Sequence, residues 1–241
     1  MTGPLRLLAV TAHPDDELGC AGTLRRAADE GQSVGIVDLT AGELSTRGTP
    51  ELRAAERDHA SELLGVAVRI GLGLPDTGLD AGPEQCEALV DALRELRPRI
   101  VLAPYPQDRH PDHAAAGRTA RAAFFLAAAH RYGSGDPHRP AALYHYLVHE
   151  PFVPTFVVDV TPVWKRSIGA IEAYESQFGQ AGESDVTPLQ GARFRAVLES
   201  RATWFGAMIG VERGEPFWSA GPIGVDEPPD RAGGDAYRMF V

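Results

Sequence analysis

Cysteine is scarce in this sequence, and lysine is almost absent. The two cysteines, Cys20 and Cys86, stand far apart and form no CxxC pair, which argues against a disulfide framework and a cysteine-rich zinc site. Such cysteine usage fits a reducing compartment. Lys165 is the only lysine, so nearly all the positive charge comes from arginine, a side chain that binds carboxylates bidentately.

Long apolar runs are also missing. The run AAFFLAAA at 122–129 is far shorter than the roughly 20 residues that span a bilayer. The short apolar run near the N-terminus leads straight into a polar motif and has no signal-peptide cleavage site. The formal net charge of -10 disfavours nucleic acid or an anionic membrane as the main partner. We therefore expect a cytoplasmic protein.

The first 130 residues repeat one pattern four times, in which an apolar, β-branched run precedes a loop and a helical segment. The runs predict strands at 6–11, 33–40, 66–73 and 99–105, and the helical segments lie near 19–30, 51–65 and 84–97 and after 113. Strands that are apolar nearly throughout predict a parallel sheet covered on both faces. The second helix is predicted from Leu52, Ala55, His59 and Leu63 at helical spacing, with Pro50 in its first turn and Gly65 at its end.

The C-terminal part has a mixed pattern. It predicts strands at 141–148 and 156–160 and helices at 163–178 and 192–210. The chain contains no internal sequence repeat, no low-complexity stretch and no clear linker, so we predict a single domain over 1–241. The fold class is α/β with a mostly parallel sheet and a mixed α+β C-terminal part, and about 222–241 forms a loop-rich tail.

Two histidine–carboxylate clusters follow predicted strands. The sequence HPDDE (13–17) comes after the first strand and RHPDH (109–113) after the fourth. Ligands of open parallel sheets bind at the carboxyl ends of strands, so we expect these clusters to meet. A nucleotide-binding protein would carry a glycine-rich turn after the first strand, and this chain has AHPDDELG there instead.

The two clusters contain the parts of a catalytic metal site. Pro14 and Pro111 keep the preceding histidines extended, and three mixed nitrogen and oxygen ligands are typical of catalytic zinc, although Fe(II) also suits such a set. We predict that His13, Asp16 and His113 bind the metal. Nearby, Asp15 can accept a proton from the metal-bound water, His110 can stabilise or protonate the reacting group, and Asp112 can orient His110.

Simpler interpretations remain for individual residues. A lone His-Asp pair in a loop is usually a solvated turn or a helix cap, and Glu17 can be an ordinary first-turn acid. Cys20 fits a small buried side chain. The remaining histidines have no partner spacing and are expected to be surface or core residues; these are His59, His130, His138, His145 and His149.

The motifs AHPDDE and HPDH resemble the LmbE-like, or PIG-L, family of zinc-dependent N-acetylglucosaminide deacetylases. VDLTAGELSTRGTPELRAAE, GLPDTGL, APYPQDRHPDH and IEAYESQF are most similar to the branch that deacetylates N-acetylglucosaminyl-malate in bacillithiol biosynthesis. The resemblance implies a Rossmann-like three-layer fold, the metal ligands and base named above, and an electrostatic role for His110 supported by Asp112. It also implies a homo-oligomer, commonly a hexamer, and a substrate site lined by Arg53 and Arg109.

One position departs from the family pattern. Some relatives use a C-terminal tyrosine to assist the oxyanion, and the sequence aligns Phe194 there, where a phenyl ring cannot donate a hydrogen bond. The metal and His110 can carry that role, or Tyr105 or Tyr144 can replace the missing hydroxyl.

The predicted reaction is hydrolysis of the 2-acetamido group of an N-acetylglucosamine conjugate, which releases acetate and a free amine. Two alternatives are a related amidase of the same family, acting on thiol conjugates or another amino sugar, and a non-catalytic metal- or sugar-binding module.

Overall fold

Seven strands form one sheet in the part of the chain that the computed structural model describes, residues 4–179 and 191–226. Their order is β3-β2-β1-β4-β5-β7-β6. The pairs from β3 to β5 are parallel, β7 is antiparallel to β5, and β6 is antiparallel to β7. The strand bounds are β1 Leu7–Thr11, β2 Val34–Thr40, β3 Val68–Leu74, β4 Ile100–Pro104, β5 Ala142–Tyr146, β6 Phe156–Asp159 and β7 Gly214–Trp218.

Seven α-helices accompany these strands over the same ranges, and a short 3-10 helix, Asp16–Gly19, follows β1. The α-helices are α1 Ala21–Asp29, α2 Pro50–Leu64, α3 Pro83–Leu96, α4 Pro111–Leu126, α5 Trp164–Glu172, α6 Glu175–Phe178 and α7 Gly191–Ile209. The predicted helix 163–178 is therefore broken at Tyr174, whose ψ of 60° is not helical. No helix among the described residues is both long enough and apolar enough to cross a membrane.

Alternate side chains of the central strands enter two separate cores, which gives the predicted three layers. Leu7 and Ala9 of β1 pack on one face with α1, α2, α5 and α7. Leu8 and Val10 point to the opposite face, which α3 and α4 cover. Period-two alternation on a strand buried on both faces produces this division. The described residues thus form the α/β fold expected from the sequence.

Helix α2 begins and ends as predicted but buries a different face. The Thr49 side chain accepts the Leu52 N–H at its start, and Gly65 ends it with a φ of 73°. Leu52 is 47% exposed and Leu63 36% exposed, so the apolar spacing does not mark the buried side. That side carries Arg53, Glu56, Ala60 and Leu64. Arg53 donates to the carbonyl of Gly42 in a loop, and Glu56 accepts a hydrogen bond from Ser176 of α6.

Strand β7 has no counterpart in the predictions. Its sequence GEPFW contains glycine, proline and a charge, all of which are depleted in strands. It pairs with both β5 and β6 and carries Glu215, whose carboxylate accepts the N–H groups of Gly22 and Thr23 at the start of α1. Of the predicted tail, 222–226 has no regular structure and the remainder lies outside the described residues.

Strand order places both motifs at the same point. From β1 the chain continues through β2 to β3 on one side, whereas β4 and β5 lie on the other side of β1. The strand order therefore reverses between β1 and β4, and a crevice forms beyond their carboxyl ends. HPDDE follows β1 and RHPDH follows β4, so the two clusters meet at this crevice.

Candidate metal centre and catalytic cleft

Three imidazoles converge beyond β1 and β4. The ring centroid of His13 lies 5.4 Å from that of His113 and 5.1 Å from that of His110. His110 and His113 stack at 4.5 Å, because His110 is the N-cap of α4 and His113 lies in its first turn. They lie in an open cleft of about 970 Å³, a volume that includes its solvent-filled mouth.

His13, Asp16 and His113 bring their donor atoms within 4.8 Å of one another. Asp16 Oδ1 lies 3.0 Å from His113 Nε2, and Asp16 Oδ2 lies 3.5 Å from His13 Nδ1. Two nitrogens and one carboxylate oxygen at such separations can share one divalent cation. The three predicted ligands are therefore brought together.

Each of these side chains is oriented by a second contact. His113 Nδ1 lies 3.3 Å from Asp108, and His13 Nε2 lies 3.2 Å from both Asp76 and Asp112. Asp16 Oδ2 accepts the N–H groups of Ala12 and His13. Carboxylates behind metal-binding histidines fix the ring orientation and the tautomer, and these contacts leave His113 Nε2, His13 Nδ1 and Asp16 Oδ1 for a cation.

A second combination, His13, His110 and Asp112, also has donor atoms within 4.8 Å. However, the side chains of Asp112 and His110 in this combination already accept backbone hydrogen bonds. The Asp112 carboxylate accepts the N–H of Thr77 at 2.8 Å, and His110 Nδ1 accepts the N–H of Asp112 at 3.2 Å. The first set therefore has the freer donor atoms for a cation.

The electrostatics of the cluster favour a cation. Burial by itself lowers the pKa of an imidazole, but hydrogen bonds to Asp112, Asp16 and Asp76 raise the pKa of His13 to about 12. The charge of Asp16 and the contact with Asp108 similarly outweigh burial and raise the pKa of His113 to about 9. A negative potential that holds protons this strongly also attracts a divalent metal ion.

Asp15 sits at the edge of this cluster in an unusual backbone conformation. Its φ is 113°, a region that costs a non-glycine residue about 1–3 kcal/mol and is concentrated at functional sites. The carboxylate lies 3.4 Å from Arg53. Burial, and then the charge of Asp16, raise the pKa of Asp15 to about 7, which suits a general base near neutral pH.

His110 has a defined protonation pattern. Because a backbone N–H can only donate, the bond from Asp112 N to His110 Nδ1 leaves that nitrogen without a proton. Burial and the neighbouring charge of His113 also lower the pKa of His110. The ring is thus neutral with its proton on Nε2. Asp112 contacts His110 through its backbone N–H, whereas its carboxylate contacts His13.

The two predicted substrate arginines are placed differently. Arg109 is exposed and does not line the cleft. Arg53 lines the cleft, but its Nη atoms donate to the carbonyls of Gly42 and Pro14 at 2.9 and 2.8 Å. Arg47, which the sequence analysis did not single out, also lines the cleft and is half-buried, with one hydrogen bond to the Gly179 carbonyl at 3.3 Å.

Asp76, Asp108 and His149 also belong to the site and were not assigned to it from the sequence. Asp76 and His149 line the cleft, and His149 stacks on His113 at 5.1 Å. Asp108 accepts the N–H groups of His110 and His149. The available signal was the position of Asp76 and Asp108 in the loops that follow strands β3 and β4, where side chains reach the same edge of the sheet.

Neither Tyr105 nor Tyr144 lines the cleft, so neither supplies the hydroxyl that Phe194 lacks. Phe194 stacks on Phe178 at 4.6 Å, and of these two rings only Phe178 lines the cleft. Tyr105 packs against Phe152, and Tyr144 packs against Phe156. Among the described residues that line the cleft, there is no tyrosine.

Comparison with known proteins identifies the family. The family model described as PIG-L, GlcNAc-PI de-N-acetylase, matches residues 8–124, which include both histidine motifs. The diacetylchitobiose deacetylase of Thermococcus kodakarensis is 30% identical over 222 residues, covering 85% of this chain and 79% of that protein. This chain belongs to the PIG-L family.

Two further similarities extend over most of the chain. The 1D-myo-inositol 2-acetamido-2-deoxy-alpha-D-glucopyranoside deacetylase of Thermobispora bispora is 30% identical over 235 residues, covering 82% of this chain and 74% of that protein. The crystal structure of a conserved protein from Thermus thermophilus superposes with a TM-score of 0.87 at 43% identity, covering 95% of this chain and 100% of that one.

Proposed function

We propose that this PIG-L protein is a metal-dependent deacetylase that hydrolyses the 2-acetamido group of an N-acetylglucosamine conjugate. The observation that carries the proposal is the meeting of His13, Asp16 and His113 around one point, beside Asp15 and the Nε2–H of His110. Zn²⁺ is the proposed metal, with Fe²⁺ as the alternative for the same ligands. A complete acid–base set argues against a non-catalytic binding module.

The side chains divide the reaction between them. A divalent cation held at this site supplies Lewis acidity, which lowers the pKa of water there to about 7. Asp15 accepts the proton of the attacking water and later returns it to the amide nitrogen, so that the C–N bond breaks with a neutral amine leaving. Neutral His110 donates its Nε2–H to the developing oxyanion, a contribution of about 3–4 kcal/mol in comparable acyl-transfer sites.

The expected substrate within this class is N-acetylglucosaminyl-malate, as the similarity to the bacillithiol branch implies. Malate carries two carboxylates, and binding them in a cleft rich in aspartate requires a positively charged side chain. The guanidinium of Arg53 is committed to two backbone carbonyls and Asp15, whereas Arg47 donates a single side-chain hydrogen bond among the described residues. We propose that Arg47 binds an aglycone carboxylate.

Acetate release tests the reaction. The wild-type protein, loaded with Zn²⁺, is incubated with N-acetylglucosaminyl-malate, with diacetylchitobiose and with a thiol-conjugate amide, and acetate or free amine is measured. Asp15→Asn is expected to retain the metal and lose most turnover. Comparable turnover by wild type and Asp15→Asn would refute the base assignment, and no turnover on any substrate would refute the deacetylase.

The Arg47 assignment has a matched control. Arg47→Gln should raise KM for the malate conjugate by about 10–100-fold, as expected for one charge-assisted hydrogen bond, and leave KM for diacetylchitobiose unchanged. Arg109→Gln removes the same charge from outside the cleft and should change neither value. If only Arg109→Gln raises KM for the malate conjugate, the sequence-based assignment is the better one.

Metal analysis tests the ligand set separately. His13→Ala and His113→Ala are each expected to reduce bound metal far below one equivalent, and a full equivalent in both variants would contradict the proposed ligands. Elemental analysis of anaerobically prepared protein decides between Zn²⁺ and Fe²⁺.

The oligomeric state is a separate proposal. We propose a homo-oligomer, and a hexamer by resemblance to the family. Sedimentation velocity should give a mass near six times the 25.8 kDa chain, and a monomeric mass at micromolar concentration would contradict it.

A further inference from the structure

A buried ionic network lies directly behind Asp15. Arg69 of β3 forms an ion pair with Asp38 of β2 at 2.7 Å and with Glu17 at 2.9 Å. The hydroxyl of Tyr174 donates to the same Glu17 carboxylate at 2.5 Å. All four side chains are at most 5% exposed.

The network reaches Asp15 through one hydrogen bond. The backbone N–H of Asp15 donates to Glu17 Oε2 at 3.0 Å, at the residue whose φ is 113°. Glu17 Oε1 is in turn held by Tyr174 and Arg69. Glu17, which accepts the N–H of the strained residue Asp15, is therefore itself held by two side chains from distant segments of the chain.

Direct contact with substrate does not explain these residues. None of the four is among the described residues that line the cleft, and Glu17 has no exposed side-chain surface. An ordinary first-turn helix acid would lie in solvent near the helix dipole, whereas this one is buried and faces a cation and a hydroxyl.

We propose that Glu17, held by Arg69 and Tyr174, is a positioning residue that keeps Asp15 directed at the reacting water. The proposal rests on the proposed function, because it gives Asp15 the role of base. Loss of the Glu17 acceptor would free the Asp15 peptide to relax to negative φ and turn the carboxylate away. The metal ligands have their own supports, so metal binding should persist.

Double-mutant cycles test this assignment. Glu17→Gln and the milder Tyr174→Phe are each expected to lower kcat by about tenfold or more, within the ~10²–10⁴ that a general base contributes, with KM and metal content unchanged. In the Asp15→Asn background the same substitutions should change the residual kcat less than twofold, because coupled residues are not additive. Equal losses of kcat in both backgrounds would overturn the proposal.

A remote arginine provides the control for general destabilisation. Arg94 is also buried, and it donates to the carbonyls of Ala127 and Ala129 far from the cleft. Arg94→Lys should lower stability and leave kcat unchanged at temperatures well below unfolding. If it lowers kcat as much as Tyr174→Phe does, the network has no specific role.

A crystal structure of Tyr174→Phe or Glu17→Gln separates this proposal from the proposed function. Displacement of the Asp15 carboxylate, with its φ relaxed, supports the positioning role even if no substrate of the panel is hydrolysed. An Asp15 unchanged in φ and position in the structure of Glu17→Leu, which unlike Glu17→Gln has no acceptor for the Asp15 N–H, would overturn it even if the wild type is an active deacetylase.

Discussion

Replacing Gly117 with alanine should destabilise the protein although the residue lies inside a helix. A Cβ at this position of α4 would lie 2.4 Å from the Pro104 carbonyl oxygen and 2.9 Å from Pro106 Cα. Both are backbone atoms, so no side-chain rotation can relieve the contact. The close approach holds the first half of α4 against the end of β4, and His113 lies one turn before Gly117.

Two opposing terms set the magnitude. Alanine in place of glycine in a helix interior contributes about 1 kcal/mol of stability, whereas overpacking of this kind costs about 1–3 kcal/mol. Contact with rigid backbone places the cost at the upper end, so a net loss of about 1–2 kcal/mol is expected. Gly169 of α5 is the matched control, because its Cβ would meet nothing within 4 Å, and Gly169→Ala should stabilise by up to about 1 kcal/mol.

Urea unfolding of the two variants isolates the steric term, because the helix-propensity gain is common to both and cancels in their difference. Metal titration provides a second measurement, since a displaced α4 carries His113 with it and should weaken metal binding only in Gly117→Ala. If Gly117→Ala proves as stabilising as Gly169→Ala, the reasoning from the close approach is refuted.

Three further predictions concern pH and the metal. Burial lowers the pKa of His145 to about 4 in the folded protein, whereas a histidine in the unfolded chain has a pKa of about 6.5. Below pH 6.5 the unfolded state therefore binds a proton at His145 that the folded state does not, and stability is lost as the pH falls toward 4. The loss in unfolding free energy is about 2 kcal/mol at pH 5. His145→Gln should reduce the dependence of the unfolding free energy on pH, and an unchanged dependence would contradict the role given to His145. Asp108→Asn should weaken metal affinity about 10–100-fold in a chelator competition, where wild-type affinity would exclude its supporting role. Removal of metal by a chelator should lower Tm and Zn²⁺ should restore it, while a Tm indifferent to both would argue against a bound cation.

The meeting of the two histidine motifs could be predicted because their placement depends on a general property of parallel sheets. HPDDE and RHPDH each follow an apolar strand, and the carboxyl ends of such strands share one edge. Proline after His13 and His110 keeps each histidine extended at its loop. The local sequence therefore indicated both the residue types of the site and the edge of the sheet at which they lie.

Other contacts could not be predicted because they depend on packing between distant segments. The apolar spacing of α2 indicated the wrong face, since its buried side holds Arg53 and Glu56 in hydrogen bonds to a loop and to α6, which hydropathy does not describe. Strand β7 was missed because its pairing with β5 and β6 outweighs a poor strand propensity. Arg109 lies beside His110 in sequence, yet it is exposed and is not among the described residues that line the cleft.

Strand periodicity, helix ends and the order of polar motifs along the chain were sufficient to determine the layered α/β architecture and the edge at which the histidines gather, because each depends on neighbours a few residues apart. Only the tertiary structure decided which carboxylate faces which ring, that Asp112 supports His13 and that Glu17 meets Arg69 and Tyr174. Those partners are separated by 52 to 157 residues. Whether two such groups come within hydrogen-bond distance is set by the packing of whole elements, and that packing is a property of the complete core.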